Sequence, residues 1–187
     1  MVAEGLRSLL PEDLAAVPAD VPDALLAGKR VLTTGHESPD ADAIGSALGI
    51  ALALESLGAQ VETVFADPVP AMYDFMPEVE RVRTTISPDL DPDLIVACDG
   101  DPTRTGAVLR DNAELFQRVP IVNIDHHISN GGQRGVAWVD ADAAATCEQV
   151  ALLLPHLGLG FDTAGGDIAQ LLTAGLVFDT ASFAHSN

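Results

Sequence analysis

The segment PIVNIDHHISN, residues Pro120–Asn130, places a short apolar run directly before one aspartate and two histidines. A second segment, DLIVACDGD at Asp93–Asp101, has the same form, with Asp99 following its apolar run. Short apolar runs bounded by turn residues are typical of strands buried on both faces of a parallel sheet. Because ligands in open α/β sheets bind beyond the carboxyl ends of the strands, both segments direct polar side chains toward a candidate site.

The rest of the chain alternates strands and helices around these two runs. The predicted elements are strands at Lys29–Thr34, Gln60–Ala66, Asp93–Ala97, Pro120–Ile124 and Gly135–Val139, and helices at about Asp42–Leu57, Ala143–Leu154 and Asp167–Phe178. This alternation predicts an α/β fold with an open, mainly parallel sheet, helices on both faces and a site at the carboxyl ends of the strands.

The composition is that of a folded and strongly acidic domain. Hydrophobic residues make up 48% of the 187 residues, which is sufficient for a core. The 9 basic and 28 acidic residues give a net charge of −19, so extended nucleic-acid binding would need bound cations or another domain. The sequence has no apolar run near the roughly 18 residues that a membrane span needs, and its N-terminus does not resemble a signal peptide. We therefore expect a cytoplasmic protein, in which Cys98 and Cys147 are buried thiols.

Two of the polar clusters are ambiguous when each is taken alone. The segment GHESPDADAIGS, Gly35–Ser46, offers one imidazole and two carboxylates, Asp40 and Asp42, on a strand-to-helix turn. These carboxylates can bind two different ions, but turn formation and helix capping are the more common functions of aspartates at such positions. Asp99 has the same two interpretations, as a metal ligand or as a loop-capping residue.

The cluster at Asp125, His126 and His127 is more specific. Adjacent histidines point in different directions, so one can bind a metal while the other faces a substrate, and Asp125 can fix the tautomer of an imidazole. An exposed histidine pair is the alternative. Asp179 ends the apolar segment GLVFDT, and a carboxylate at a helix C-terminus opposes the helix dipole unless a cation compensates it. His156 and His185 are expected to be ordinary surface residues.

Together the candidate ligands comprise four carboxylates and two imidazoles. They are His36, Asp40, Asp42, Asp99, His126 and Asp179. Oxygen and nitrogen donors without a thiolate favour Mn²⁺, Mg²⁺ or Co²⁺ over structural zinc. Two such ions can clamp a phosphoryl group and hold a bridging hydroxide for in-line attack.

Four segments, in order along the chain, resemble the motifs of the DHH phosphoesterases. They are GHESPDADAIGS (Gly35–Ser46), CDGDPTRTG (Cys98–Gly106), NIDHHISN (Asn123–Asn130) and GLVFDTASF (Gly175–Phe183). The resemblance is closest to the small bacterial branch that contains nano-RNases and pAp (3′-phosphoadenosine 5′-phosphate) phosphatases. Cyclic-dinucleotide phosphodiesterases, RecJ-type exonucleases and family II inorganic pyrophosphatases are related.

The resemblance implies a role for each residue of the site. It assigns His36 and Asp40 to one Mn²⁺ ion, Asp42, His126 and Asp179 to the other, and Asp99 to a bridge between the two. His127, with Asp125, would be catalytic and would face the scissile phosphate, and Arg104 would contact the substrate or support the loop.

The same resemblance implies a Mn²⁺-dependent phosphoesterase of the exoribonuclease or phosphatase type. Its expected substrates are short oligoribonucleotides or nucleotides such as pAp, cleaved by a metal-bridging hydroxide. A cyclic-dinucleotide phosphodiesterase would share the same motifs, and a non-catalytic nucleotide-binding or regulatory domain is a second alternative. The complete set of six ligands favours an enzyme. A homodimer is compatible with the sequence, and a membrane partner is not expected.

The resemblance also suggests a domain organisation. We expect residues 1–28 to form an N-terminal helical extension and residues 29–187 to form the catalytic domain. We expect the family's C-terminal substrate-binding domain, DHHA1, to be absent from this chain, and the chain to be part of a longer protein. Ala41 and Ala181 stand where the family usually has glycine, which raises the question of a positive φ at Ala181.

Overall fold

The computed structural model describes residues 14–132 and 135–184. Most of the predicted N-terminal extension before its helix, and His185, therefore lie outside the described residues. The helices are α1 (Asp20–Ala27), α2 (Ala41–Ser56), α3 (Ala107–Asp111), α4 (Ala113–Arg118), α5 (Thr146–Leu153) and α6 (Asp167–Asp179). The strands are β1 (Arg30–Thr34), β2 (Gln60–Thr63), β3 (Leu94–Cys98), β4 (Ile121–Asp125) and β5 (Val136–Val139).

The five strands form one parallel sheet in the order β2-β1-β3-β4-β5. Every residue of β3 and β4 is buried, as their unbroken apolar runs predict. From β1 the chain passes first to β2 on one side and then to β3 on the other. The sheet therefore has its switch point between β1 and β3, where folds of this type bind ligands.

Helices cover both faces of the sheet, which confirms the predicted architecture. Alternate strand residues point to opposite faces, so Val96 of β3 packs in the larger cluster with α1, α2, α5 and α6. Its neighbour Ile95 packs on the other face with Phe116 of α4 and Val108 of α3. The sequence analysis did not predict α3 and α4, which are too short to show a clear helical period.

Helix α2 crosses the centre of the larger face and is buried from Ala41 to Leu54. Two glycines let α2, α5 and α6 approach one another closely. A Cβ at Gly45 would lie 2.6 Å from the Leu171 carbonyl oxygen, and one at Gly175 would lie 2.8 Å from the Asp42 carboxylate. Glycine is thus required where the end of α6 meets the start of α2.

The element boundaries differ from the predicted ones by a few residues. The second strand ends at Thr63, after which Val64 makes only a single bridge to Arg83. Among the described residues, no helix combines the length and apolarity needed to cross a membrane.

Candidate metal centre

The loops after β1, β3 and β4 and the end of α6 converge at the carboxyl edge of the sheet. They bring together the six residues that we call the Asp–His cluster: His36, Asp40, Asp42, Asp99, His126 and Asp179. Asp42 and Asp99 are almost fully buried, whereas Asp40 and Asp179 keep part of their side chains exposed. The cluster therefore has a closed side within the core and an open side toward solvent.

On one side of the cluster, His36 faces two carboxylates. Its Nε2 lies 3.3 Å from Asp99 Oδ2 and 3.8 Å from Asp40 Oδ2. Its Nδ1 lies 2.7 Å from the Glu37 carbonyl oxygen, which accepts a hydrogen bond from that nitrogen. A backbone acceptor on one ring nitrogen leaves the other available as a metal ligand.

On the other side, His126 repeats this arrangement. Its Nε2 lies 3.1 Å from Asp179 Oδ2, 3.6 Å from Asp99 Oδ1 and 3.9 Å from Asp42 Oδ2. Its Nδ1 lies 3.3 Å from the Ala143 carbonyl oxygen. His126 Nε2 is buried without a hydrogen-bond partner among the described residues. A buried nitrogen that faces three carboxylates without a well-formed hydrogen bond fits a site for a cation.

The ligand atoms form two groups that meet at Asp99. His36, Asp40 and Asp99 bring their ligand atoms within 4.8 Å of one another, and so do Asp42, His126 and Asp179. Asp99 reaches His36 through Oδ2 and His126 through Oδ1, so its carboxylate lies between the groups. Asp99, His126 and His127 form a third overlapping group. Oxygen and nitrogen donors of this kind suit Mn²⁺ or Mg²⁺.

The electrostatics of the cluster also indicate an excess of negative charge. Burial, reinforced by the charge of Asp99, raises the pKa of Asp42 to about 7. Hydrogen bonding to Asp99 raises the pKa of His36 to about 9. Burial alone would lower the pKa of His126. The neighbouring carboxylates Asp179, Asp42 and Asp99 together have the larger effect and raise this pKa to about 9. Without a metal ion, the cluster compensates its carboxylates by taking up protons.

The N-terminus of α5 holds Asp42 in place. The backbone N–H of Thr146 donates to Asp42 Oδ2 at 2.7 Å, and that of Cys147 donates to Oδ1 at 2.9 Å. The Thr146 hydroxyl also donates to Asp99 Oδ1 at 3.2 Å. A helix N-terminus stabilises a buried carboxylate in this way. The sequence analysis missed this function of Thr146, because 104 residues separate it from Asp42.

The backbone at Asp99 is in the left-handed region, with φ at 57°. Its N–H donates to the Ile124 carbonyl at 2.9 Å, which anchors the residue to the end of β4. Left-handed backbone costs roughly 1–2 kcal/mol for a residue with a side chain. The surrounding structure therefore supports an unfavourable conformation where it directs a carboxylate into the cluster.

His127 packs edge to face against His126, with ring centroids 4.6 Å apart, and is held by Asp125. Its Nδ1 lies 2.8 Å from Asp125 Oδ1, and its backbone N–H donates to the same oxygen. The hydrogen bond to Asp125 raises the pKa of His127. The side chain of His127 is 39% exposed, whereas that of Asp125 is fully buried. Asp125 thus orients the more exposed histidine, with its Nε2 directed away from that carboxylate.

A buried amide network supports Asp125. Asn130 Nδ2 donates to Asp125 Oδ2 at 2.6 Å and to Asn123 Oδ1 at 2.7 Å. Asn123 in turn donates to the carbonyls of Ala97 and Gly100, beside Asp99. The loop after β4 is therefore tied to the loop after β3 by side chains that sequence analysis did not single out.

Replacing Asn130 by alanine is expected to destabilise the fold, because the buried Asp125 and Asn123 oxygens lose a donor. The free energy of unfolding should fall by about 1–3 kcal/mol, measured by urea denaturation. Asn112→Ala is the matched control, since it removes one hydrogen bond from a half-buried amide to Val108. If Asn112→Ala lowers the free energy of unfolding by an equal or larger amount, the Asn130 network does not have the expected importance for stability.

The remaining predicted residues lie at the edge of the site or outside it. Arg104 is exposed, and its side chain makes no hydrogen bond or ion pair with the other described residues. Its backbone carbonyl accepts from Glu37 N–H at 3.0 Å, so its observed contact is with the loop that carries His36. His156 lies on the surface, as expected, and Ala181 does adopt a positive φ, of 46°.

Comparison with known proteins agrees with the first three motifs, which lie within the region matched by a family model. The family model described as "DHH family, N-terminal domain" matches residues 30–176. The chain is 34% identical over 153 residues to the bifunctional oligoribonuclease and PAP phosphatase NrnA of Thermus thermophilus. The alignment covers 81% of this chain but 44% of that protein, so the chain spans less than half the length of this relative.

Two solved structures share the fold. An exopolyphosphatase-related protein from Bacteroides fragilis matches with a TM-score of 0.76 and 19% identity, over 96% of this chain and 53% of that one. RecJ in complex with Mn²⁺, also from Thermus thermophilus, matches with a TM-score of 0.50 and 24% identity, over 92% of this chain and 25% of that one. From the family match and the NrnA alignment, we conclude that this chain belongs to the DHH family.

Proposed function

We propose that this chain is the catalytic domain of a Mn²⁺-dependent phosphoesterase that acts on short oligoribonucleotides or on nucleotides such as pAp. The observation that carries the proposal is the buried His126 Nε2, which faces three carboxylates of the Asp–His cluster without a well-formed hydrogen bond to any described residue. The relative named an oligoribonuclease and PAP phosphatase supports the substrate class.

In this proposal His36 and Asp40 would hold one ion, Asp42, His126 and Asp179 would hold the other, and Asp99 would be a ligand of both. Bound ions supply a Lewis acid for the phosphoryl group and activate water for attack. Asp42 contributes as a ligand because α5 holds both of its oxygens, and Asp99 does so because the loop after β3 directs it inward.

His127 is proposed as the general acid. Asp125 fixes the ring through Nδ1, which leaves Nε2 to give its proton to the leaving oxygen of the ester. The buried charge of Asp125 stabilises the protonated imidazole before transfer and keeps the ring oriented afterwards. Arg104, which is exposed on the neighbouring loop, is proposed only as a contact for a distant phosphate.

A further domain is proposed to bind the substrate groups that lie far from the metals. The net charge of −19 repels them, and the NrnA relative extends well beyond the matched region. Residues 29–187 would then form the catalytic domain, and a DHHA1-type domain would bind the substrate.

Turnover of several substrates by this chain with Mn²⁺ tests the proposal. We expect hydrolysis of a small aryl phosphodiester and of pAp, with a lower kcat/KM for a dinucleotide than a full-length relative shows. Preferred hydrolysis of cyclic di-AMP would instead indicate a cyclic-dinucleotide phosphodiesterase. Absence of turnover for every ester, with Mn²⁺ bound, would contradict catalysis and favour a binding domain.

Metal-induced stabilisation is expected to increase with pH. The pKa values of about 9 for His36 and His126 and about 7 for Asp42 exceed their ordinary values, so the folded, metal-free chain binds extra protons. The stability contributed by Asp42 is lost as the pH rises from about 4 to about 7, and that contributed by the two histidines is lost from about 6.5 to about 9. Metal binding, which releases these protons, becomes tighter over the same range.

Thermal unfolding with and without Mn²⁺ across this pH range measures the effect. The rise in Tm caused by Mn²⁺ should grow with pH, and His36→Ala should flatten the dependence. A metal-induced shift that shrinks as the pH rises would contradict the proposed ligands.

A further inference from the structure

An apolar groove of about 700 Å³ lies against the end of α6. We call it the aromatic groove and define it by Met72, Tyr73, Phe75 and Phe178, which line it. Its volume is within the range of small-molecule sites, roughly 300–1,000 Å³. The residues lining it include no acidic or basic side chain.

The aromatic groove adjoins the open side of the Asp–His cluster. Phe178 directly precedes Asp179, and Ala41, which also lines the groove, separates Asp40 from Asp42. Burial raises the pKa of the Tyr73 phenol, and the charge of Asp40 is close enough to raise it further. A ligand bound by the Asp–His cluster therefore has an apolar wall beside it.

The groove is preformed within the described structure. The rings of Tyr73 and Phe178 pack edge to face with centroids 5.9 Å apart. The Gln170 amide of α6 donates to the Phe75 carbonyl at 3.3 Å and ties the loop to the helix. The segment that carries Met72 and Phe75 is thus attached to α6 at both a ring contact and a hydrogen bond.

Two members of the groove are exposed although they are large and apolar. Met72 is 67% exposed and Phe75 is 63% exposed, and Phe178 is partly exposed as well. Exposed apolar residues that gather at a concave site, rather than lying singly on the surface, indicate a binding function.

We propose that the aromatic groove binds the nucleobase of the substrate while its phosphate lies at the Asp–His cluster. This inference rests on the proposed function and specifies how one group of the substrate is bound. A nucleobase is flat, uncharged and apolar on its faces, so it suits a groove without ionic side chains on a strongly acidic protein. Stacking on an aromatic ring tolerates any base, as hydrolysis of mixed oligonucleotides requires.

Calorimetric titration of the Mn²⁺-loaded chain with AMP and with ribose 5-phosphate tests the groove. The two probes share a sugar phosphate and differ in the base, and neither result depends on hydrolysis. AMP is expected to bind roughly 5- to 150-fold more tightly than ribose 5-phosphate, the range that stacking of one base provides. Phe75→Ala should reduce most of this difference and leave ribose 5-phosphate and Mn²⁺ binding unchanged.

Phe161→Ala is the matched control, since Phe161 is half-buried in a groove on α6 that does not include Met72, Phe75 or Phe178. It should preserve the preference for AMP. The inference is overturned if AMP fails to bind, binds no better than ribose 5-phosphate, or is weakened equally by Phe161→Ala. It is also overturned if Phe75→Ala changes the oligomeric state of the chain, measured by sedimentation velocity, but does not change AMP binding. The groove would then contact a second copy of the chain.

The two proposals fail separately. AMP binding that depends on Phe75, without hydrolysis of any ester, would contradict the catalytic proposal alone. Hydrolysis of esters by a chain that binds AMP no better than ribose 5-phosphate would contradict only the proposed function of the groove.

Discussion

Replacing Asp99 by asparagine is expected to abolish hydrolysis and metal-induced stabilisation together, while the metal-free chain remains folded. Asp99 is the carboxylate that faces both histidines of the Asp–His cluster. Asparagine keeps its shape and tolerates the left-handed backbone at this position, but it loses the charge shared by the two groups of ligands.

The expected loss of kcat/KM is about 10³-fold or more, because metal ions contribute several kcal/mol to transition-state stabilisation. At a Mn²⁺ concentration near 100 times the Kd, a stabilisation of about 2.7 kcal/mol should raise the Tm of the unmodified chain by roughly 5–11 °C. Asp99→Asn should lose most of that rise.

Asp101→Asn is the matched control for this prediction. Asp101 lies two residues further along and accepts a hydrogen bond from Thr103 N–H, so it caps a turn outside the cluster. Its substitution should leave Mn²⁺-induced stabilisation and kcat nearly unchanged. If Asp99→Asn retains both the Tm rise and the activity, Asp99 does not join the two ions.

Replacing His127 by alanine is expected to lower kcat by roughly 10²–10⁴-fold, the range for loss of a general acid. Metal binding should stay nearly intact, because Asp125 engages the Nδ1 of His127 and the His127 side chain is more exposed to solvent than that of His126. The measurement combines kcat for pAp with the Mn²⁺-induced rise in Tm. Asp125→Asn should reduce kcat as well, since it removes the charge that orients His127.

His156→Ala is the control for His127. His156 is exposed and bonds to the Leu14 carbonyl, so its loss should change neither kcat nor Mn²⁺ binding. If His127→Ala instead removes the metal-induced rise in Tm, the roles of the two adjacent histidines are reversed. Asp99, His126 and His127 do form one group of close ligand atoms, so this outcome would have a structural basis.

The sequence by itself determined the architecture and the place of the site. The unbroken apolar runs of β3 and β4 each lie within a few consecutive residues. A strand buried on both faces can therefore be predicted from its own residues, without knowledge of the segments that it contacts. Parallel strands end at one edge of a sheet, so Asp99 and His126 could be assigned to the same site before their distance was known. The four motifs indicated the family for the same reason, because each motif is a short segment that can be compared without knowledge of the fold.

Only the tertiary structure decided how each side chain is supported. The sequence left open which imidazole Asp125 would orient, and the packed loop places it against His127. The N-terminus of α5 holds Asp42 from 104 residues away, a contact that depends on how closely α2, α5 and α6 pack. Met72 and Phe75 resemble ordinary apolar loop residues until folding sets them beside α6. Periodicity and turn chemistry act over a few residues, whereas these contacts arise from the packing of distant segments.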